Sequence, residues 1–225
     1  MIIDCISDLH GFYPELEGGD LLIVAGDLVR NEMPENWNSF FSWLAQQNYT
    51  KRIIIGGNHD NYLVGEFPIN LGYYEYLQDS GTEFMGYKIW GSPWTKTFEG
   101  MNPHCKAFTL DSEQELEEKW SMIPPHIDIL ITHEPPYGIF DEVIRDTFIE
   151  GHQCDKIEHV GSHSLLYYSQ MHQPKLHVFG HIHESYGMKR PNLGFIDLDG
   201  YPIYVNASHV NERYQPVNKP VRIEL

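Results

Sequence analysis

Residues 1–27 read MIIDCISDLHGFYPELEGGDLLIVAGD, and one pattern occurs in them twice. An apolar run, Ile2–Ile6, breaks off into Ser7-Asp8-Leu9-His10-Gly11, and a second, Leu21–Ala25, breaks off into Gly26-Asp27. Both are rich in Ile, Val and Leu and barely alternate, as strands buried on both faces of a sheet do. The pattern returns three times further on. Arg52–Ile55 leads into Gly56-Gly57-Asn58-His59-Asp60, Ile127–Ile131 into Thr132-His133-Glu134, and Leu176–Phe179 into Gly180-His181-Ile182-His183. Each apolar strand thus ends in residue types that bind metals. In open α/β sheets ligands sit beyond the carboxyl ends of the strands, so strand ends lying side by side would gather these groups into one cluster.

Helical patterns separate some of the strands. One opens at Pro34-Glu35, with Trp37, Phe40, Phe41 and Leu44 on one face. A second starts near Asp111, where Ser112 and Glu115 form a capping box, and ends before Pro124-Pro125. A third spans about Ser162 to His172 and is stopped by Pro174. Two segments read as hairpins, Thr82–Trp90 around Gly86 and Phe195–Asn206 around Asp199-Gly200. Strand-helix-strand units mixed with hairpins predict an α/β fold in which two sheets pack face to face with helices outside. With 225 residues, no repeat and no linker, a single domain over 1–225 is expected.

The donor set is imidazole and carboxylate, which suits Mn, Fe or Zn; it contains no thiolate of the kind structural zinc sites use. In extended chain, Asp8-x-His10 and His181-x-His183 would each put two side chains on one side. Asp27 is the natural bridge between two ions, since a carboxylate offers two oxygens and Gly26 lets the backbone come close. Asn58 adds a neutral carbonyl oxygen. Two divalent ions, less Asp8, Asp27 and a hydroxide, leave a net charge of roughly +1, which attracts phosphate. The other eight histidines, His209 the least clear of them, are expected in surface or ordinary hydrogen-bonding roles. Phe12, Tyr137 and Tyr186 are either packing residues or candidates to stack on a base.

The formal charge of −17, from 32 acidic and 15 basic residues without a basic cluster, argues against long nucleic acid and anionic membrane as partners. There is no apolar stretch of about 20 residues and no signal-peptide pattern at the start. Cys5, Cys105 and Cys154 are widely spaced and form no C-x-x-C pair. A cytoplasmic location without an obligatory protein partner is therefore expected.

The order D-x-H, GD, GNHD, H, GHxH, spread from residue 8 to residue 183, resembles the calcineurin-like metallophosphoesterase superfamily. Gly91-Ser92-Pro93-Trp94, Thr132-His133-Glu134-Pro135-Pro136, Pro174–His183, Asn206-Ala207-Ser208 and Tyr214-Gln215-Pro216-Val217-Asn218 are similar to its small metallophosphoesterase-domain-containing proteins, nearly over the whole chain. The resemblance implies a four-layer α/β/β/α sandwich and a dinuclear site. It implies Asp8, His10, Asp27 and His183 on one metal, and Asp27, Asn58, His133 and His181 on the other. It makes His59 the general acid, with Asp60 supporting from behind. The subgroup commonly has Gly where Glu134 stands here. That carboxylate could bind an ion, repel substrate, or face away in a supporting role, the last being the favoured reading.

The expected reaction is hydrolysis of a small phosphodiester or phosphomonoester, cyclic nucleotides among the candidates. A hydroxide bridging the metals attacks phosphorus, and His59 protonates the departing alkoxide. No large insertion is visible to cap the site, so it is expected to be open and permissive. The competing readings are a non-catalytic metal-binding scaffold and a nuclease of the same superfamily. A dinuclear hydrolase of the β-lactamase type would need a His-x-His-x-Asp-His run, which the chain lacks.

Overall fold

The computed structural model describes residues 1–65, 72–98, 100–149, 152–189 and 202–225. The first sheet contains β1 (Ile2–Ile6), β2 (Gly19–Ala25), β3 (Tyr49–Ile55) and β4 (Glu75–Tyr76), all parallel. The second opens with β5 (Ser80–Phe84) and β6 (Tyr87–Ser92), the expected hairpin, turning at Met85 and Gly86 with φ of 50° and 81°. A short pair follows, β7 (Thr95–Lys96) with β8 (Thr109–Leu110). The second sheet resumes with β9 (Ile129–Thr132). A separate two-stranded ribbon is formed by β10 (Glu142–Ile149) and β11 (His152–His159). Then come β12 (Leu176–Phe179), β13 (Gly187–Lys189), β14 (Ile203–Asn206) and β15 (Val221–Glu224), the last paired antiparallel to β1. The sheet orders are β15-β1-β2-β3-β4 and β13-β14-β12-β9-β6-β5. The first sheet is parallel except for the edge strand β15, and the second is parallel inside with an antiparallel strand at each edge. Residues 195–201 of the second expected hairpin lie outside the described residues; β14, at its end, pairs antiparallel with β13.

The lack of apolar alternation now has its explanation. Ile3, Leu21, Ile23, Ile53 and Ile55 of the first sheet meet Ile89, Ile129, Ile131 and Val178 of the second in one buried layer. The residues between them face outward and are equally buried. Leu22, Val24 and Ile54 pack under α1 (Pro34–Gln46) through Trp37, Phe40 and Leu44. Leu130 packs under α2 (Glu113–Trp120) and α3 (His163–His172) through Leu116, Trp120 and Leu165. The result is helix, sheet, sheet, helices: the four-layer α/β architecture with two mixed sheets.

The expected cap forms on α2, and α3 carries one as well. Ser112 Oγ accepts from Glu115 N at 3.2 Å, and the Glu115 carboxylate accepts from Asp111 N at 3.0 Å. Ser162 Oγ accepts from Leu165 N at 3.1 Å, and α3 stops at Gln173, whose φ is 47°. The sheets also join near the ends of β1 and β14. Ser7 N donates to Ala207 O at 2.9 Å, and Ala207 N donates to Phe179 O at 2.8 Å.

Candidate metal centre

All the expected site residues lie just beyond strand ends, on the loops that leave β1, β2, β3, β9 and β12. The first sheet contributes Asp8, His10, Asp27, Asn58 and His59, and the second contributes His133, His181 and His183. They meet where the two sheets join.

The local backbone differs from the extended geometry expected of the two x-spaced pairs. Asp8, His10, Asp27 and His181 have φ of 51°, 43°, 54° and 68°. Non-glycine residues in this left-handed region carry strain of about 1–3 kcal/mol each, and such strain concentrates at functional sites. His183 opens a 3₁₀ turn, His183–Ser185. The pairs converge because the chain turns sharply at each strand end, bound there by Asp8 N to Gly26 O and His10 N to Asp27 O, both 3.0 Å. The motif glycines make this crowding possible. Gly26 has φ 97° and a Cβ there would lie 2.5 Å from His133 Nδ1. A Cβ on Gly57 would lie 2.3 Å from Asp27 Oδ1, and one on Gly180 would lie 2.1 Å from Asp8 Oδ2.

Asp27 sits at the centre. Its Oδ2 is 3.6 Å from His10 Nε2 and its Oδ1 is 3.3 Å from His133 Nε2. On the His10 side, His10 Nε2 and His183 Nε2 are 3.3 Å apart, and His183 Nε2 is 3.2 Å from Asp8 Oδ1. One ligand atom from each of Asp8, His10, Asp27 and His183 falls within 4.8 Å of every other. On the far side, His133 Nε2 is 3.2 Å from Asn58 Oδ1, and the His133 and His181 rings lie 5.1 Å apart. Several groups are aimed from behind. His133 Nδ1 donates to Ala25 O at 2.8 Å, which turns the Nε2 lone pair into the cluster. Asn58 Nδ2 donates to Cys105 O at 3.2 Å, which points Oδ1 inward. Asp8 Oδ2 accepts from His181 N at 3.0 Å and from Ser208 Oγ at 2.8 Å.

The electrostatics suit a cation. Burial opposes ionisation of Asp8, but the hydrogen bond and charge of His183 hold its carboxyl well below the usual range. Asp27 is held low in the same way, burial being outweighed by His133 and His59. Burial alone would depress His133, yet the Asp27 charge beside it pushes it up to about 10. Two buried carboxylates thus require positive charge close by, and protonated imidazole supplies it where no cation does. Burial depresses His10 to about 4 and His181 to about 3, which leaves these rings neutral with lone pairs free to coordinate. The donor types and their convergence fit a divalent metal site.

Residues 1–185 match the family described as calcineurin-like phosphoesterase. The chain belongs to that family. Metallophosphoesterase domain-containing protein 1 of Homo sapiens is 37% identical over 250 residues, covering 98% of this chain and 70% of the human protein. A Nostoc protein named 3′,5′-cyclic-nucleotide phosphodiesterase is 24% identical over 84% of this chain and 64% of its own length. Among solved structures, TT1561 of Thermus thermophilus superposes with a TM-score of 0.57 at 18% identity, over 91% of this chain and 88% of that one.

Several expected residues hold other positions in this phosphoesterase fold. Asp60 is buried, and its carboxylate accepts from Leu28 N at 3.0 Å and Gly57 N at 2.9 Å. It braces the loops that carry Asp27 and Asn58, with no hydrogen bond to His59 among the described residues. His59 is partly open to solvent at the mouth, its Nε2 3.9 Å from Asp27 Oδ2. Glu134 turns away from the cluster and accepts from Lys96 N at 2.9 Å. His209 donates from Nδ1 to Asn218 O at 2.8 Å and serves as a latch for the C-terminal loop. Of the aromatic candidates, Tyr137 stacks on His163 with ring centroids 3.7 Å apart, and Tyr186 bonds Lys219 O at 2.9 Å.

Two site residues escaped the sequence reading. Ser208 holds Asp8 from behind, and the signal was available in Asn206-Ala207-Ser208 at the end of a sixth buried strand. Tyr214 has φ 57° and places its ring 4.8 Å from His10 and 5.2 Å from His183, over the mouth. Its segment, Tyr214–Asn218, stands out in the sequence only for its resemblance to the subgroup, and nothing local shows that the tertiary fold brings this loop back over the site.

Proposed function

We propose that this chain is a dinuclear, metal-dependent phosphodiesterase acting on small phosphodiesters, cyclic nucleotides among them. The observation that carries the reading is the placement of Asp27 between two donor groups, one oxygen toward His10 and the other toward His133. Asp8, His10 and His183 would complete one metal position, and Asn58, His133 and His181 the other. A divalent pair there supplies Lewis acidity, drawing charge from phosphate oxygens and activating water for attack. The side chains supply the rest. Asp8 and Asp27 stay ionised at neutral pH. His59 stands at the open side of the cluster, where its ring can hand a proton to a departing alkoxide. The small mouth, of about 270 Å³, and the −17 charge favour a small ester over a long polyanion. The name of the Nostoc relative agrees with a diester substrate.

The test is turnover of bis(4-nitrophenyl) phosphate by metal-stripped protein with and without Mn²⁺, Zn²⁺ or Fe²⁺. Metal-dependent release of nitrophenol is expected. Bound metal with no turnover of any phosphoester would sink the reading and leave a binding scaffold.

A further inference from the structure

The two halves of the metal centre are not covered alike. Tyr214 packs its ring against two histidines of one half, edge-on to His10 at 4.8 Å and to His183 at 5.2 Å, with 72° and 88° between ring planes. Among the described residues it makes no such ring contact with His133 or His181 of the other half. The mouth shows the same difference: Asn58 and His181 line it, whereas His10 does not and is only 4% exposed. Tyr214 is held there against strain, because a φ of 57° is unfavourable for a bulky side chain. The loop fixes that conformation. Tyr214 N donates to Asn211 O at 2.8 Å, and Arg213 N and Gln215 N both donate to Asn211 Oδ1, at 3.0 Å and 2.9 Å. The root of the loop is fixed as well. His209 N donates to Ser7 O at 2.8 Å, and Asn218 Nδ2 donates to Ser208 O at 2.9 Å. Ser7 precedes Asp8 in the chain and Ser208 bonds its carboxylate, so the ring is registered to the backbone that presents Asp8 and His10. The ring is still 48% exposed, so core packing does not account for its place. Strain maintained by the surroundings at the edge of a site points to a functional constraint.

We propose that Tyr214 is a positioning residue that shields one metal position, the one formed by Asp8, His10, Asp27 and His183, and that it acts through the His10 and His183 rings. Its ring fixes their orientation and keeps solvent and chelating ligands from that side. The position formed by Asp27, Asn58, His133 and His181 is left as the exchangeable one. The ring does this by contact and shape, and its hydroxyl takes no part. The proposal rests on the dinuclear reading of the site and on no particular substrate.

The test is metal release, not turnover. Protein loaded with Zn²⁺ is mixed with an excess of a chromogenic pyridylazo chelator, which reports each ion as it leaves. Two phases of equal amplitude are expected, the slow one about 10–100-fold slower, the range over which groups behind metal ligands act. Tyr214→Gly accepts the positive φ without strain and removes only the ring. It should bring the slow phase close to the fast one and leave the fast one unchanged. Tyr214→Phe keeps the ring and should release like the native protein. Release of both ions in one phase by the native protein overturns the proposal, as does a slow phase unaltered in Tyr214→Gly. Equal acceleration of both phases in that variant would mean a loosened loop only and overturns it too, and so does Tyr214→Phe behaving like Tyr214→Gly. Native protein that takes up fewer than two equivalents of Zn²⁺ fails the dinuclear reading itself, which a one-phase release of two equivalents leaves standing.

Discussion

At the scale of single residues, the site sets the Asp27 carboxylate between imidazoles on two sides and leaves His59 at the open edge. Asp27 touches both halves, with oxygens 3.6 Å and 3.3 Å from imidazoles on opposite sides. His59 approaches only from the open edge, 3.9 Å from the same carboxylate. Their substitutions should therefore differ in kind. Asp27→Ala is expected to lose both metals and all turnover. His59→Asn should keep its metal and lose about 10²–10⁴-fold in kcat, the usual share of a general acid. Elemental analysis beside kinetics distinguishes them. Metal loss in the His59 variant equal to that in the Asp27 variant would contradict the acid role.

The elements succeed as a scaffold because each buries both of its faces. β9 sends Ile129 and Ile131 into the layer between the sheets and Leu130 toward α2 and α3. His133 follows immediately, so its position depends on how firmly that strand is held. Trp120 seals the outer face: it is fully buried, packs with Leu116, Ile123 and Leu165, and donates from Nε1 to Ser162 Oγ at 3.1 Å. Trp120→Ala should cost about 3–5 kcal/mol by denaturant unfolding of the metal-free protein. A loss below about 1 kcal/mol would show that α2 adds little to the fold.

For the molecule as a whole, stability should depend on pH through Glu134. Burial pushes this carboxyl from the ordinary 4.5 up to about 8. A folded value above the unfolded one means that the fold keeps the proton longer than the open chain does. The contribution is full below about pH 4.5, and it is lost as pH rises toward about 8, by at most about 1.4 kcal/mol per unit. Glu134→Gln removes this dependence. The variant should gain on the native protein steadily across that window in metal-free unfolding curves. A difference independent of pH would show that the carboxyl is not desolvated.

Much of this was legible in the linear chain. Ile2–Ile6 and Leu176–Phe179 are strands over the very residues that their apolar runs mark, Ser112 caps the helix that follows it, and α3 begins beside Ser162. These are local signals: burial on both faces leaves an unbroken apolar run, and a hydroxyl three residues ahead of a free N–H caps a helix. The candidate ligands were legible for the same reason, since each follows such a run. The β10–β11 ribbon was not legible, because its strands, with Arg145, Lys156 and Glu158 on their surface, carry neither an apolar run nor an alternation that local pattern could find. Nor was the left-handed backbone at Asp8, His10, Asp27 and His181, which arises where turns from two sheets crowd together. Only the tertiary structure decided that Ser208 would stand behind Asp8, that Tyr214 would cover the mouth, and that Glu134 would turn away from the cluster. Those contacts join residues up to 200 positions apart, and nothing local encodes which of them will meet.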